Sequence, residues 1–399
     1  MQRRALLQWA LGAAATSGIA CRVYAAPAGS RFLLVFLRGG YDAANVLIPY
    51  SSPFYYEARP TLAIHLDVSE RAALALDGDW ALTPTLRETI AALYRQGQAA
   101  FVPFAGTEDL SRSHFETQDS IELGQPLDGV RNYRSGFMAR LLRTLHAGAS
   151  APEAAAAIAF TDALPLAFAG DTPVPNFPLR GAPRNIQGGA ADLLDQLYAG
   201  HHLQGAVESG LSLQQQVADS MADEMRTSSR NAVSTRGFQL QAARMARLMR
   251  EQYRIGFVDI GGWDTHVNQG AERGLLADHL GDLGLGLQAF AQGLGTEWRN
   301  TVVVVISEFG RTFRENGNRG TDHGHGSVYW VLGGAIQGGR VAGEQRRIAR
   351  ATLFQDRDYP VLNDYRAVLG GLFRSLWGLS AQQCAEIFPH VQPVDLRLV

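Results

Sequence analysis

Apolar positions along the chain alternate between two patterns. Arg31–Leu37 (RFLLVFL) is a continuous apolar run that stops at Arg38-Gly39-Gly40, as expected of a strand buried on both faces and closed by a tight turn. Ala99–Phe104, Ile255–Ile260, Thr301–Ile306 (TVVVVI) and Val328–Leu332 repeat that pattern. Between them the period lengthens to that of a helix. Thr85–Tyr94 aligns Leu86, Ile90 and Leu93, Ser135–Leu145 carries arginines on its outer face, and Gln239–Tyr253 aligns Leu240, Ala243, Met245 and Leu248. Leu275–Leu294 predicts a long helix, Gly338-Gly339 a hairpin after the last strand, and Tyr365–Trp377 a closing helix. Strands alternating with helices predict an α/β fold, a doubly wound, mostly parallel sheet with helices on both faces.

Two segments depart from this alternation. Residues 1–25 read as an export signal: Arg3-Arg4, a mild apolar run Ala5–Ala20, then Val23-Tyr24-Ala25 as a small-residue cleavage pattern. The paired arginines resemble a twin-arginine signal, with a general secretory signal as the alternative. Cys21, in GIAC, is a weaker candidate for lipid attachment. Residues 26–399 then form a single domain, and the Ala-, Pro-, Gly- and Gln-rich stretch at about 150–235 predicts a helical insertion or cap. No other apolar run approaches the roughly 18 residues of a membrane span. The expected address is the periplasm or the medium.

Composition narrows the chemistry. A net charge of -2 gives no reason to expect a nucleic-acid partner. All 36 basic residues are arginine, which excludes Schiff-base and P-loop lysines. Cleavage after Ala25 would leave Cys384 alone, too few thiols for a disulfide or a Cys-based zinc site.

Acids and histidines gather in three short motifs: FVDIGGWDTH with Asp259, Asp264 and His266; TVVVVISEFGRT with Glu308 and Arg311; and GTDHGHG with Asp322, His323 and His325. Carboxylates and imidazoles suit borderline-hard divalent ions. Asp264 and His266 are spaced to share one ion from a turn, and Glu308, after a buried strand, needs an ion or Arg311 as partner. Asp42 follows the first strand, where open α/β sheets bind ligands, although turn capping would equally explain an aspartate there. SRSHFETQD places Ser113 at a helix start, as an N-cap or a nucleophile, with His114 beside it as acid, ligand or packing residue.

FLRGGYD, SRSHFETQD, FVDIGGWDTH, SEFGRT and GTDHGHG, in this order, resemble the DUF1501 family over about residues 31–396. That family is grouped with the alkaline phosphatase-like superfamily, so the resemblance implies a doubly wound sheet, a two-metal site and a Ser or Thr nucleophile. Asp42 resembles the first acid, Ser113 the nucleophile, Asp264 and His266 the Asp and His pair, and His323 or His325 the last histidine. Glu308 stands where the Asp of an Asp-His pair belongs. Phe309 takes the place of that pair's histidine, which implies either one metal fewer or a site rebuilt from Asp322 and a second histidine of GTDHGHG. The implied activity is hydrolysis of a small anionic phosphate or sulfate ester. Ser113 would attack, His114 would serve the leaving group, Arg38, Arg112 or Arg311 would clamp the anion, and one or two ions, zinc or manganese before magnesium or calcium, would assist. The alternative is a catalytically degraded, metal- or partner-binding periplasmic protein that assists another exported protein.

Overall fold

The computed structural model describes residues 29–66, 71–147, 156–179 and 233–399. The export-signal segment with Cys21, and most of the predicted insertion, lie outside the described residues. The strands are β1 (Arg31–Leu37), β2 (Leu47–Ile48), β3 (Leu74–Ala75), β4 (Ala81–Leu82), β5 (Ala99–Gly106), β6 (Ala157–Ala159), β7 (Val233–Ser234), β8 (Ile255–Gly261), β9 (Thr301–Ser307), β10 (Ser327–Leu332), β11 (Arg340–Val341) and β12 (Asn363–Asp364). The helices are α1 (Pro53–Ala58), α2 (Ile90–Arg95), α3 (His114–Leu123), α4 (Phe137–Ala147), α5 (Phe238–Glu251), α6 (Leu275–Leu294), α7 (Tyr365–Trp377) and α8 (Ala381–Ile387).

The main sheet runs β11-β5-β10-β9-β1-β8-β6, with β12 on β5 and β7 on β8. Its centre is parallel: Val35 of β1 faces Val258 of β8 on one side and Val305 of β9 on the other. Successive β1 residues point to opposite faces. Leu33, Val35 and Leu37 join the core under α5 and α6, while Phe32, Leu34 and Phe36 join the core under α4 and α7. Covering helices on both faces explain why β1 and β9 are apolar throughout their interiors, Phe32–Leu37 and Val302–Ile306.

Four local expectations change. β10 is antiparallel to both β9 and β5. A parallel neighbour needs a crossover, whereas the chain from Glu308 to Gly326 contains no helix and turns straight back. β11 pairs with β5 in parallel, so Gly338-Gly339 does not close a hairpin on β10. The buried face of α5 is Phe238, Ala242, Met245, Ala246 and Met249, and Leu240 is exposed. The segment read as a helix from Thr85 begins as a 3-10 turn, Pro84–Leu86, before α2. No described helix is long and apolar enough to cross a membrane.

Candidate metal centre

The C-terminal ends of β1, β8 and β9 lie side by side, and the loops that leave them carry Arg38, Asp264 and Glu308. The loop after β9 folds back on itself. Gly310 N donates to His325 O, Gly324 N to Gly310 O, and Thr312 N to Asp322 O. SEFGRT and GTDHGHG are thereby laid against each other. Gly39 (φ +123) and Gly40 (φ +62) let β1 end underneath them. A side chain at Gly39 would meet Asp264 N, and one at Gly40 would meet the Phe309 ring.

Three imidazoles and one carboxylate converge there. His323 Nε2 lies 3.0 Å from His114 Nε2 and 3.1 Å from His266 Nε2. Asp264 Oδ1 lies 2.9 Å from His266 Nε2 and 3.3 Å from His323 Nε2, and its Oδ2 lies 3.5 Å from His114 Nε2. A tetrahedral centre with bonds of about 2.0–2.1 Å sets its donors about 3.3–3.4 Å apart, so His114, Asp264 and His323 could hold one small divalent ion, with His266 beside them against Asp264 and His323.

The opposite ring nitrogens point outward, each to an acceptor. His114 Nδ1 meets Glu308 Oε1 at 2.8 Å, His266 Nδ1 meets Asp322 Oδ1 at 3.3 Å, and His323 Nδ1 meets the Arg112 carbonyl at 3.1 Å. Each Nδ1 therefore carries a hydrogen, which frees Nε2 as donor to an ion, the arrangement typical of metal-bound histidines. Three Nε2 atoms facing one another need positive charge among them, whether ion or proton. Burial opposes the charge of His114, yet hydrogen bonds to Asp264 and Glu308 hold its pKa up to about 9. Burial likewise opposes ionisation of Asp264, but hydrogen bonds from His114, His266 and His323, then the charge of Arg311, keep it far below the usual carboxylate range.

The remaining sequence candidates surround this group without joining it. Glu308 is fully buried and accepts from Gly39 N, His114 Nδ1 and Gln118 Nε2 on one oxygen and from Ser307 Oγ on the other, so its lone pairs are used on positioning His114. Asp322, half-exposed, orients His266 from outside. Asp42 forms a two-pronged buried ion pair with Arg59 and accepts from Gln269. Asp259 is held by Arg38, which also binds Glu122. His325 lies tilted against Phe354, where burial first and the charge of Arg112 second lower its pKa to about 4. Arg311 is enclosed, donating to Asp264, Thr321 Oγ1 and Thr321 O, and so is not placed to clamp a substrate. Phe309 lies against His114 and His323, with ring centroids 4.9 and 5.1 Å away.

Ser113 is the N-cap residue of α3, but its hydroxyl makes no cap hydrogen bond. Gln118, Arg59 and Gln269 went unnoticed in the sequence. Only Gln118 had a visible signal: His114, Gln118 and Glu122 recur every four residues and so share one face of α3.

A family model described as "Protein of unknown function (DUF1501)" matches residues 30–388. No curated protein matches the sequence. Among solved structures, the chain is similar to Ps i-CgsB in complex with k-i-k-neocarrahexaose, with a TM-score of 0.39 and 10% identity over 92% of this chain and 75% of that one. It is also similar to a protein in the alkaline phosphatase superfamily from Vibrio parahaemolyticus, with a TM-score of 0.35 and 10% identity over 78% of this chain and 62% of that one. Likeness this distant carries nothing about chemistry.

Proposed function

The chain belongs to the DUF1501 family, and from that premise we propose an exported, metal-dependent hydrolase of phosphate or sulfate esters. The observation that carries the metal is the convergence of His114 Nε2, His323 Nε2 and the Asp264 carboxylate, with His266 alongside, while the Nδ1 of each of these histidines is engaged elsewhere. Nitrogen donors with one carboxylate suit zinc, manganese or iron(II) better than magnesium or calcium. When bound, such an ion supplies Lewis acidity and lowers the pKa of a nearby hydroxyl.

The chain's own groups supply the rest. Ser113, half-buried and adjacent in sequence to His114, offers a hydroxyl that does not cap its helix, and it is the attacking group in this reading. Of the three arginines expected to clamp an anion, Arg38 and Arg311 have side chains 3% and 0% exposed, whereas Arg112 keeps 25%. Arg112 is therefore the one assigned to the substrate. His114 is occupied on both nitrogens, which removes it from the leaving-group role. One feature favours a second reading, metal binding without turnover: Phe309 fills space beside two of the histidines where a second ion's ligand would stand.

Elemental analysis of the purified protein and of an Asp264→Ala, His266→Ala double variant tests the metal. Near-stoichiometric metal in the first and none in the second is expected, and metal-free wild-type protein sinks the proposal. A screen of aryl phosphates and sulfates with Ser113→Ala then separates the two readings. Turnover abolished by that change supports the hydrolase, and no turnover by the metal-loaded protein supports the second reading.

A further inference from the structure

Both ends of His323 are held by arginines that share one carboxylate. The imidazole Nδ1 donates to the Arg112 carbonyl at 3.1 Å, and the His323 carbonyl accepts from Arg357 NH2 at 2.9 Å. Arg112 has φ +51, a left-handed conformation that is uncommon for a residue with a side chain and persists where surroundings enforce it. Its guanidinium is anchored: Nε and NH2 reach Asp358 Oδ2 at 3.1 and 2.7 Å, and NH2 also reaches Gln355 Oε1 at 2.7 Å. Arg357 NH1 bonds both oxygens of the same carboxylate, at 3.2 and 3.0 Å. Asp358 is completely buried. The turn that presents it contains two more left-handed residues, Gln355 (φ 55) and Asp356 (φ 54), and is pinned to the β9–β10 loop where Phe313 N donates to Arg357 O.

We infer that Asp358 is a positioning residue of the metal centre, acting through Arg112 and Arg357 to set the tautomer and the place of His323. It touches no ligand atom itself. A carbonyl only accepts, so the Arg112 carbonyl holds the proton on Nδ1 and turns Nε2 toward Asp264, His114 and His266. His114 and His266 have carboxylates in the corresponding place, Glu308 and Asp322. His323 has a neutral carbonyl, and the orienting charge stands one residue further back, on Asp358. The same carboxylate anchors the Arg112 guanidinium, so that a change at Asp358 also reaches the arginine assigned above to the substrate. The effect on metal affinity rests on the metal-centre reading above, whereas the effect on the tautomer does not.

The test is Asp358→Asn, which keeps the volume and removes the charge. Two quantities are measured: the His323 tautomer by nitrogen-15 NMR of the metal-free protein, and zinc affinity by chelator competition. Asp364→Asn serves as control, since Asp364 caps α7 and pairs with Arg366, away from the histidines. The expected result is a Nδ1–H tautomer in wild type that becomes mixed in Asp358→Asn, with zinc bound roughly 10–100-fold more weakly, while Asp364→Asn changes neither. An unchanged tautomer and an affinity within about twofold of wild type would overturn the assignment. If wild type takes up no zinc but the tautomer still shifts, the metal-centre reading fails and the positioning role stands. Arg112→Met, which removes the same link from a partly exposed side chain, carries the test if Asp358→Asn does not fold.

Discussion

At the residue scale the centre is governed by what each nitrogen faces. His114 is held protonated in the metal-free protein, and an ion must displace that proton. Zinc uptake at about pH 7 is therefore expected to release close to one proton, read from the buffer dependence of the calorimetric heat. The sign for stability follows from the same shift. The folded pKa of about 9 lies above the ordinary value of 6.5, so the charged imidazole stabilises fully below 6.5 and that contribution disappears as pH rises through about 9. The urea midpoint of metal-free protein should fall over that window, and a flat midpoint would show that His114 is neutral throughout. Glu308 makes a sharper case. Glu308→Gln puts an amide where four donors converge, and it should weaken zinc binding roughly 10–100-fold while costing about 1–3 kcal/mol of stability in chemical denaturation.

Helix α3 is the element on which the site turns. It begins at the nucleophile candidate and sends His114, Gln118 and Glu122 down one face, where Gln118 links Glu308 to Arg38. Two serines at helix starts differ here in a measurable way. Ser380 caps α8 by accepting from Gln383 N, whereas Ser113 caps nothing. Ser380→Ala should cost about 1 kcal/mol, while Ser113→Ala should leave stability within about 0.5 kcal/mol and abolish turnover. A large loss of stability with turnover intact would return Ser113 to an ordinary cap. The turn after β1 is tuned too: Gly40, at φ +62 under the Phe309 ring, leaves no room for a side chain. Gly40→Ala should therefore destabilise by about 1–3 kcal/mol or more, by backbone strain and overlap together.

Across the whole molecule, buried charge is handled by pairing. Arg59 and Asp42, both essentially unexposed, continue through Gln269, Thr265 and Thr321 to Arg311 and Asp264, a hydrogen-bonded path from the β1 turn to the metal centre. Removing one partner strands the other, so Asp42→Ala should cost about 3–5 kcal/mol, well above a typical substitution. An ion bound only by the folded state adds its own stabilisation, about 2.7 kcal/mol at 100 times its dissociation constant. Chelator should therefore lower the thermal midpoint of wild type and leave the Asp264→Ala, His266→Ala double variant unmoved.

The elements were legible in the sequence because their signals are local. The apolar runs at Arg31–Leu37 and Thr301–Ser307 are core strands, and Leu275–Leu294 and Tyr365–Trp377 are helices, each specified by the spacing of its own side chains. Asp264, His266 and His323 could be singled out as candidate ligands because short glycine-bounded motifs carry them. Which acids stand beside the histidines and which beside an arginine was decided only by the fold. Arg59 meets Asp42, Arg38 meets Asp259, and His114 enters the cluster from a helix 150 residues before Asp264. A carboxylate's role depends on the group that faces it in space. Sequence alone determined the main strands and helices and a pool of side chains able to bind a metal, and tertiary packing decided that His114, Asp264 and His323 come together.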